Sequence, residues 1–299
     1  IGDIVLTTPV LRAIRRQTGA EVHMLVKKKY AEALAGNPHL SAVHTFEVGL
    51  SEVLPELRRQ RFDRIVDLHG NLRSSILRLA LQCPSRTFPK LNARKYLYTR
   101  FGLNTLPPIH IVERYMQAAA PLGVRYDGQG MDFFIPPDQA LPAHALPPSP
   151  YVAVALGAAH ATKRMPMPLL ESVVALLPCP VALLGGPAER ADGQRLAAFF
   201  PDKAVNFCGD LSLGGSASVL QKAAVVLTPD TGMMHIAAAL RRPIVSVWGN
   251  TVPNFGMTPL YPADSGLEAA LCEVSGLKCR PCSKIGYTAC PKGHFDCMM

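Results

Sequence analysis

The chain has 299 residues, more than one ordinary hydrophobic core organises, so two domains are expected. Apolar residues make up 48% and aromatics 7%, which excludes a disordered chain, and no run reaches the roughly 18 uninterrupted apolar residues of a spanning helix. The formal charge of +9 is uneven: residues 1–137 carry 19 Lys/Arg against 11 Asp/Glu, and residues 138–299 carry 12 against 11. Apart from a plain solvated surface, such a field suits an anionic partner: nucleic acid, a membrane face or a phosphorylated substrate.

In chain order, Ile1 to Ile14 (IGDIVLTTPVLRAI) reads as a helix, with Pro9 in its first turn and apolar residues at helical spacing. Gly2 and Asp3 then fall in the loop entering it, where Asp3 is either a capping carboxylate or a functional one. Runs at Glu21–Val26, Arg64–Leu68, Tyr151–Leu156, Val181–Leu184, Ala223–Leu227 and Pro243–Trp248 have the Val/Ile/Leu character of strands covered on both faces. Helical periodicity fills the intervals, so the pattern predicts α/β with parallel sheets. Between Ile135 and Pro150 six prolines forbid a continuous helix or a central strand. A linker at 138–150 is therefore predicted between an N-terminal domain, 1–137, and a C-terminal domain, 151–299. Two doubly wound domains joined this way should face a central cleft at the carboxyl ends of their strands.

Polar residues cluster just after several of these strands. In the first domain Arg64 to Ser74 (RIVDLHGNLRS) exits a strand into His69-Gly70-Asn71 and Arg73, which would line an acceptor side. Arg86, Lys90, Arg94, Lys95 and Arg100 extend the basic surface, with Tyr96, Tyr98 and Phe101 between them. RNA would accept this mixture, but no nucleic-acid module is present and an anionic glycolipid fits equally well. In the second domain Ala155 to Pro166 (ALGAAHATKRMP) places Lys163 and Arg164 where a pyrophosphate needs cations, unless they are simply solvated. Leu183 to Arg190 (LLGGPAER) carries Glu189, either an acceptor for ribose hydroxyls or a helix cap. Lys222 to Leu240 (KAAVVLTPDTGMMHIAAAL) is a strand, the turn Pro229-Asp230, and a helix opening at Thr231-Gly232-Met233. The unpaired N–H groups of that first turn suit a phosphate, and Gly232 permits close approach. His235, four residues after Thr231, is expected on the same helix face toward the same ligand.

Cys279, Cys282, Cys290 and Cys297 form C-x2-C-x7-C-x6-C, with His294 nearby. The spacing is compatible with tetrahedral zinc, yet a cytosolic chain also carries free thiols, and four further cysteines are scattered. Free thiols are the favoured expectation over a structural zinc.

Taken together, IGDIVLTTPVLRAI, the Lys163 loop, TPDTGMMHIAAAL and the tail CRPCSKIGYTACPKGHFDC resemble glycosyltransferase family 9, the ADP-heptose:lipopolysaccharide heptosyltransferases. The likeness runs in the same order over nearly the whole chain. It implies a GT-B fold of two Rossmann-like domains, an ADP-sugar donor in the second domain, and a lipopolysaccharide inner-core acceptor in the first. It further implies an inverting mechanism without metal, Asp3 as base, Lys163 on the diphosphate, and Asp230, Thr231, Gly232, Met233 and His235 around the donor. Where some members have small hydroxyl residues this chain has Ala158 and Ala159, which leaves backbone or Thr162 for diphosphate contacts. The family pattern also implies a strand before Ile1 and a helix beyond Met299. No cofactor and no nucleic acid are expected, and the implied location is the cytoplasm, with peripheral contact to the inner leaflet. The alternatives are another GT-B enzyme, either a transferase with a different nucleotide sugar or a sugar-nucleotide epimerase, and a non-catalytic zinc or nucleic-acid-binding protein.

Overall fold

The computed structural model describes residues 1–299. The chain opens with one helical turn, α1 (Gly2–Val5), and α2 (Thr8–Thr18). Asp3 thus lies within a helical turn rather than in a loop. Pro9 occupies the first turn of α2, and Gly19, with φ 69°, ends it through a hydrogen bond from its N–H to Arg15 O. Then follow β1 (His23–Lys27), β2 (Ala42–Phe46), α3 (Leu54–Arg59), β3 (Ile65–Asp67), α4 (Leu72–Leu81), β4 (Ser85–Thr87), α5 (Asn92–Phe101) and α6 (Ile111–Ala119). The strands of this half form two separate parallel pairs, β1 with β2 and β3 with β4. Residues 137–150 contain two single 3-10 turns and no strand.

The second half contains β5 (Val152–Ala155), α7 (Met167–Leu176), β6 (Val181–Leu184), α8 (Arg190–Phe199), β7 (Ala204–Asn206), α9 (Leu213–Lys222), β8 (Val225–Pro229), α10 (Gly232–Ala239), β9 (Ile244–Trp248) and β10 (Ala270–Glu273). Its six strands make one parallel sheet in the order β10-β9-β8-β5-β6-β7. Side chains alternate across the pleat. Ala153, Ala182 and Leu184 join the larger core, whereas Val152, Val154, Val181 and Leu183 pack with Leu170, Val174 and Leu196 on the other face. Strand order reverses between β5 and β8, and in a doubly wound sheet the crevice outside the carboxyl ends at that point takes the ligand.

One core of 36 buried residues runs through both halves, from Val5, Val10 and Leu11 to Met234 and Trp248. No helix is long and apolar enough to cross a membrane. Arg12, on the inward face of α2, is 2% exposed. It donates to both carboxylate oxygens of Asp127 (2.7 and 2.8 Å), to Asp132 and to Gly130 O (2.9 Å), tying α2 to the strand-free segment after α6. Removing one member of a buried ion pair leaves the other charges uncompensated. Arg12→Met is accordingly expected to lower the unfolding free energy by about 3–5 kcal/mol in a denaturant titration.

Candidate active site

The turn after β8 places Asp230 at the switch-point crevice. Its Oδ2 accepts from Lys163 Nζ at 2.6 Å and from Thr251 Oγ1 at 2.8 Å. Lys163 arrives on the 3-10 turn Ala161–Lys163 after β5, and Thr251 follows β9, so three adjacent strands meet on one carboxylate. Thr231 caps α10, its hydroxyl accepting from Met233 N at 3.1 Å. The remaining first-turn N–H groups, together with the positive end of the helix dipole, make a terminus of the kind that suits an anion, beside Lys163.

The start of the chain packs directly on this terminus. A Cβ on Gly232 would lie 3.0 Å from Ile1 Cγ2 and 3.1 Å from Gly2 N, and a Cβ on Gly2 would lie 2.9 Å from His235 Cδ2. A side chain on either glycine would crowd the contact between α1 and α10. His235 fills that contact, 2% exposed, and its Nδ1 has no partner. It therefore does not project with Thr231 toward a shared ligand; it lies behind the turn. Burial pushes its pKa down to about 3, against the opposing pull of Asp230, so the ring is neutral. An imidazole that protonates near 6.5 when unfolded and only near 3 when folded binds more protons in the unfolded state between those values. Stability is then complete above about pH 6.5 and declines on acidification toward 3. Buried His39 and half-buried His110 are also lowered, chiefly by desolvation, and add to the same slope. His235→Asn is expected to flatten part of it, as read from thermal unfolding across that range.

The other expected donor residues are placed differently. Glu189 is buried; its Oε2 caps its own turn, Pro187–Glu189, by accepting from Gly186 N at 2.9 Å, and its Oε1 pairs with Arg164 at 2.8 Å. The carboxylate also abuts Gly157, where a Cβ would come within 2.8 Å of Oε2. Thr162 does not offer a free hydroxyl: it accepts from Tyr287 N at 2.8 Å and donates to Tyr287 O at 3.3 Å.

On the N-terminal side, Asp67 at the end of β3 is 5% exposed and organises the polar loop. It accepts from His69 N (3.0 Å), Gly70 N (2.7 Å), Ser74 Oγ (2.8 Å) and Thr87 Oγ1 (3.2 Å). Burial alone would raise its pKa, but these hydrogen bonds outweigh burial and hold it low. Asn71 caps α4 by accepting from Ser74 N at 2.8 Å, and Arg73 lies over the Phe46 ring at 5.3 Å. Asp3 is exposed, makes no side-chain hydrogen bond, and faces Lys95 and Tyr115.

The structure thus brings Lys163, Asp230, Thr231, Gly232 and Met233 together beside the residue preceding Asp3, with His235 behind them. Asn71 and Arg73 make their contacts within the N-terminal half. Two contributors, Thr251 and Arg114, are absent from the sequence-based expectations, and a third, Lys95, is read there only as part of a basic surface. Thr251 follows a strand in Gly249-Asn250-Thr251, the same strand-to-turn signal used for Asp230. The surroundings of Lys95 and Arg114 carry no such signal. Lys95 is lowered to about 8, first by burial and then by Arg114 and Lys284, while Arg114 is 2% exposed with Nε and Nη1 unpartnered. These are consequences of packing that no local pattern carries.

An α/β chain with a six-stranded parallel sheet and two further parallel strand pairs has the fold of the GT-B class, which its solved structural neighbours share. The family model for glycosyltransferase family 9 (heptosyltransferase) matches residues 52–285. Lipopolysaccharide heptosyltransferase 1 of Pseudomonas aeruginosa is 30% identical over 286 residues, spanning 85% of this chain and 78% of that protein. The chain belongs to glycosyltransferase family 9. Among solved structures, a family 9 glycosyl transferase from Veillonella parvula superposes with TM-score 0.72 at 21% identity, covering 91% of this chain and 83% of that one. An E. coli heptosyltransferase with ADP-2-deoxy-2-fluoro heptose superposes with TM-score 0.66 at 22% identity, covering 92% and 90%.

Proposed function

We propose that this glycosyltransferase moves a heptose from ADP-heptose to an acceptor sugar of the lipopolysaccharide inner core, in one inverting displacement that needs no metal. The observation carrying the reading is the contact of Ile1 and Gly2 with Gly232 and His235, which sets Asp3 beside the anion-binding terminus of α10. Residues 151–299 hold the donor, residues 1–137 hold the acceptor, and residues 138–150 link them. The acceptor hydroxyl attacks the anomeric carbon opposite the departing ADP, through an oxocarbenium-like state. Asp3 takes the hydroxyl proton as the bond forms. Lys163 and the N–H groups at Thr231, Gly232 and Met233 stabilise charge growing on the diphosphate. Asp230 orients Lys163, His235 supports the turn, and Thr162 holds the Lys163 loop through Tyr287. Glu189, beside Gly157, faces the donor ribose. Lys95, Asn71 and Arg73 attract the anionic acceptor.

A cytoplasmic enzyme meeting a lipid-linked acceptor gains from surface contact. Leu72, Ile76 and Leu79 are exposed at helical spacing on α4, near the basic residues of this half. An apolar stripe among cations suits the anionic inner leaflet. A thermal-shift panel tests the donor: ADP-heptose should raise the apparent melting temperature more than UDP- or GDP-sugars, because a ligand binding only the folded state stabilises it. A larger shift with a UDP- or GDP-sugar would reassign the donor, and intact-mass analysis of the acceptor would identify the sugar moved.

A further inference from the structure

The β9–β10 ladder stops at Trp248 and Glu273, and the carbonyls at and just past its end need donors from elsewhere. One side chain of the irregular tail collects them. Arg280 donates from Nε to Gly249 O at 2.5 Å, and from Nη2 to Trp248 O at 3.2 Å and Thr251 O at 3.0 Å. It reaches the end of β10 as well, through Val274 O at 3.1 Å and Glu273 Oε2 at 2.6 Å. The side chain is 7% exposed. A guanidinium carries five N–H donors in a rigid fork, so it holds several acceptors at fixed spacing, where an ammonium is a single point of attachment.

The turn that Arg280 holds has little else to fix it. Residues 249–251 make no backbone–backbone hydrogen bond, and Asn250, 1% exposed, has no partner for either amide atom. Yet this turn carries Thr251, whose hydroxyl donates to Asp230. It also abuts the loop of Lys163, for a Cβ on Gly249 would lie 2.8 Å from Thr162 O. The tail holds that second loop too: Tyr287 N donates to Thr162 Oγ1, and Thr162 N to Tyr287 O. No disulfide braces the tail itself.

We propose that Arg280 is a positioning residue for the donor diphosphate, acting through Thr251. By fixing the turn after β9, it sets where the Thr251 hydroxyl meets Asp230 Oδ2, and the same oxygen takes one N–H of Lys163. Held there, the ammonium keeps its other two N–H groups for phosphate oxygens. A shift of the turn moves the carboxylate, and with it the cation, away from the charge it must meet. The inference rests on the reading of Lys163 as the cation of the diphosphate, and gives Arg280 no contact with substrate.

Calorimetric titration of the whole chain with ADP tests it. Thr251→Val and Arg280→Lys are each expected to raise the ADP dissociation constant about tenfold, and the double variant no further than the weaker-binding single, as for two members of one hydrogen-bonded chain. Adenosine, which lacks the diphosphate, should bind all three variants as it binds wild type. Thr251→Val leaves Arg280 and its buried contacts intact, so it tests the path even where Arg280→Lys fails to fold. Unchanged ADP affinity in Thr251→Val, multiplied losses in the double variant, or an equal loss for adenosine would each overturn the proposal. Lys163→Met separates the two ways of failing. Weakened ADP binding there, with Thr251→Val unaffected, removes only the role of Arg280; unchanged ADP binding there removes the donor reading and this proposal together.

Discussion

Asp3→Ala is expected to lower kcat by about 10² to 10⁴, the range a positioned general base supplies, while the dissociation constant for the ADP-sugar stays unchanged. The reason lies in what the side chain does not do. It is exposed and makes no hydrogen bond, so its removal leaves no orphaned partner and opens no cavity. Its neighbours depend on other contacts: Tyr115 is buried against Phe88, and Lys95 Nζ lies over the Phe255 ring at 5.8 Å. Asp3→Asn preserves shape but cannot take a proton, and should lose transfer to the same degree. Single-turnover assays with saturating donor separate this from a binding defect. Turnover within tenfold of wild type in both variants would assign the base elsewhere.

Lys163→Met is expected to lower kcat/KM for the donor by about 10² to 10³, as for the loss of one group stabilising a developing charge. It carries a second consequence that Asp3 lacks. Lys163 and Asp230 side chains are 16% and 12% exposed, and the substitution leaves the carboxylate with only Thr251 as a partner. A largely buried acceptor stripped of its cation costs about 1–3 kcal/mol. The double variant Lys163→Met, Asp230→Asn removes that orphaned charge, so it should recover stability without recovering transfer. Recovery of transfer in the double variant would show that Lys163 serves only to neutralise Asp230.

The parts of this molecule that were legible in sequence are those set by short-range physics. Val181–Leu184 is a strand at the bounds its composition suggests, and Pro9 and Thr231 sit at the helix starts that their chemistry favours. By contrast β2 (Ala42–Phe46), β4 (Ser85–Thr87), β7 (Ala204–Asn206) and β10 (Ala270–Glu273) escaped detection. Three to five residues, partly polar and partly exposed, leave little periodicity to read. The surroundings of His235 differ from the expected ones for a related reason: helical spacing fixes which residues share a face, and not what that face meets. It meets Gly2, more than two hundred residues away in the chain.

Taken alone, the amino-acid order determined the α/β class, the family resemblance and the residue types at the strand ends, because hydrophobic period, capping and turn chemistry act over a few positions. Only the tertiary structure decided that Lys163 binds Asp230, that Thr162 is committed to Tyr287, and that Arg280 closes the ends of β9 and β10. Those choices follow from which strands lie side by side and from the burial their packing creates, and neither is encoded within any local stretch.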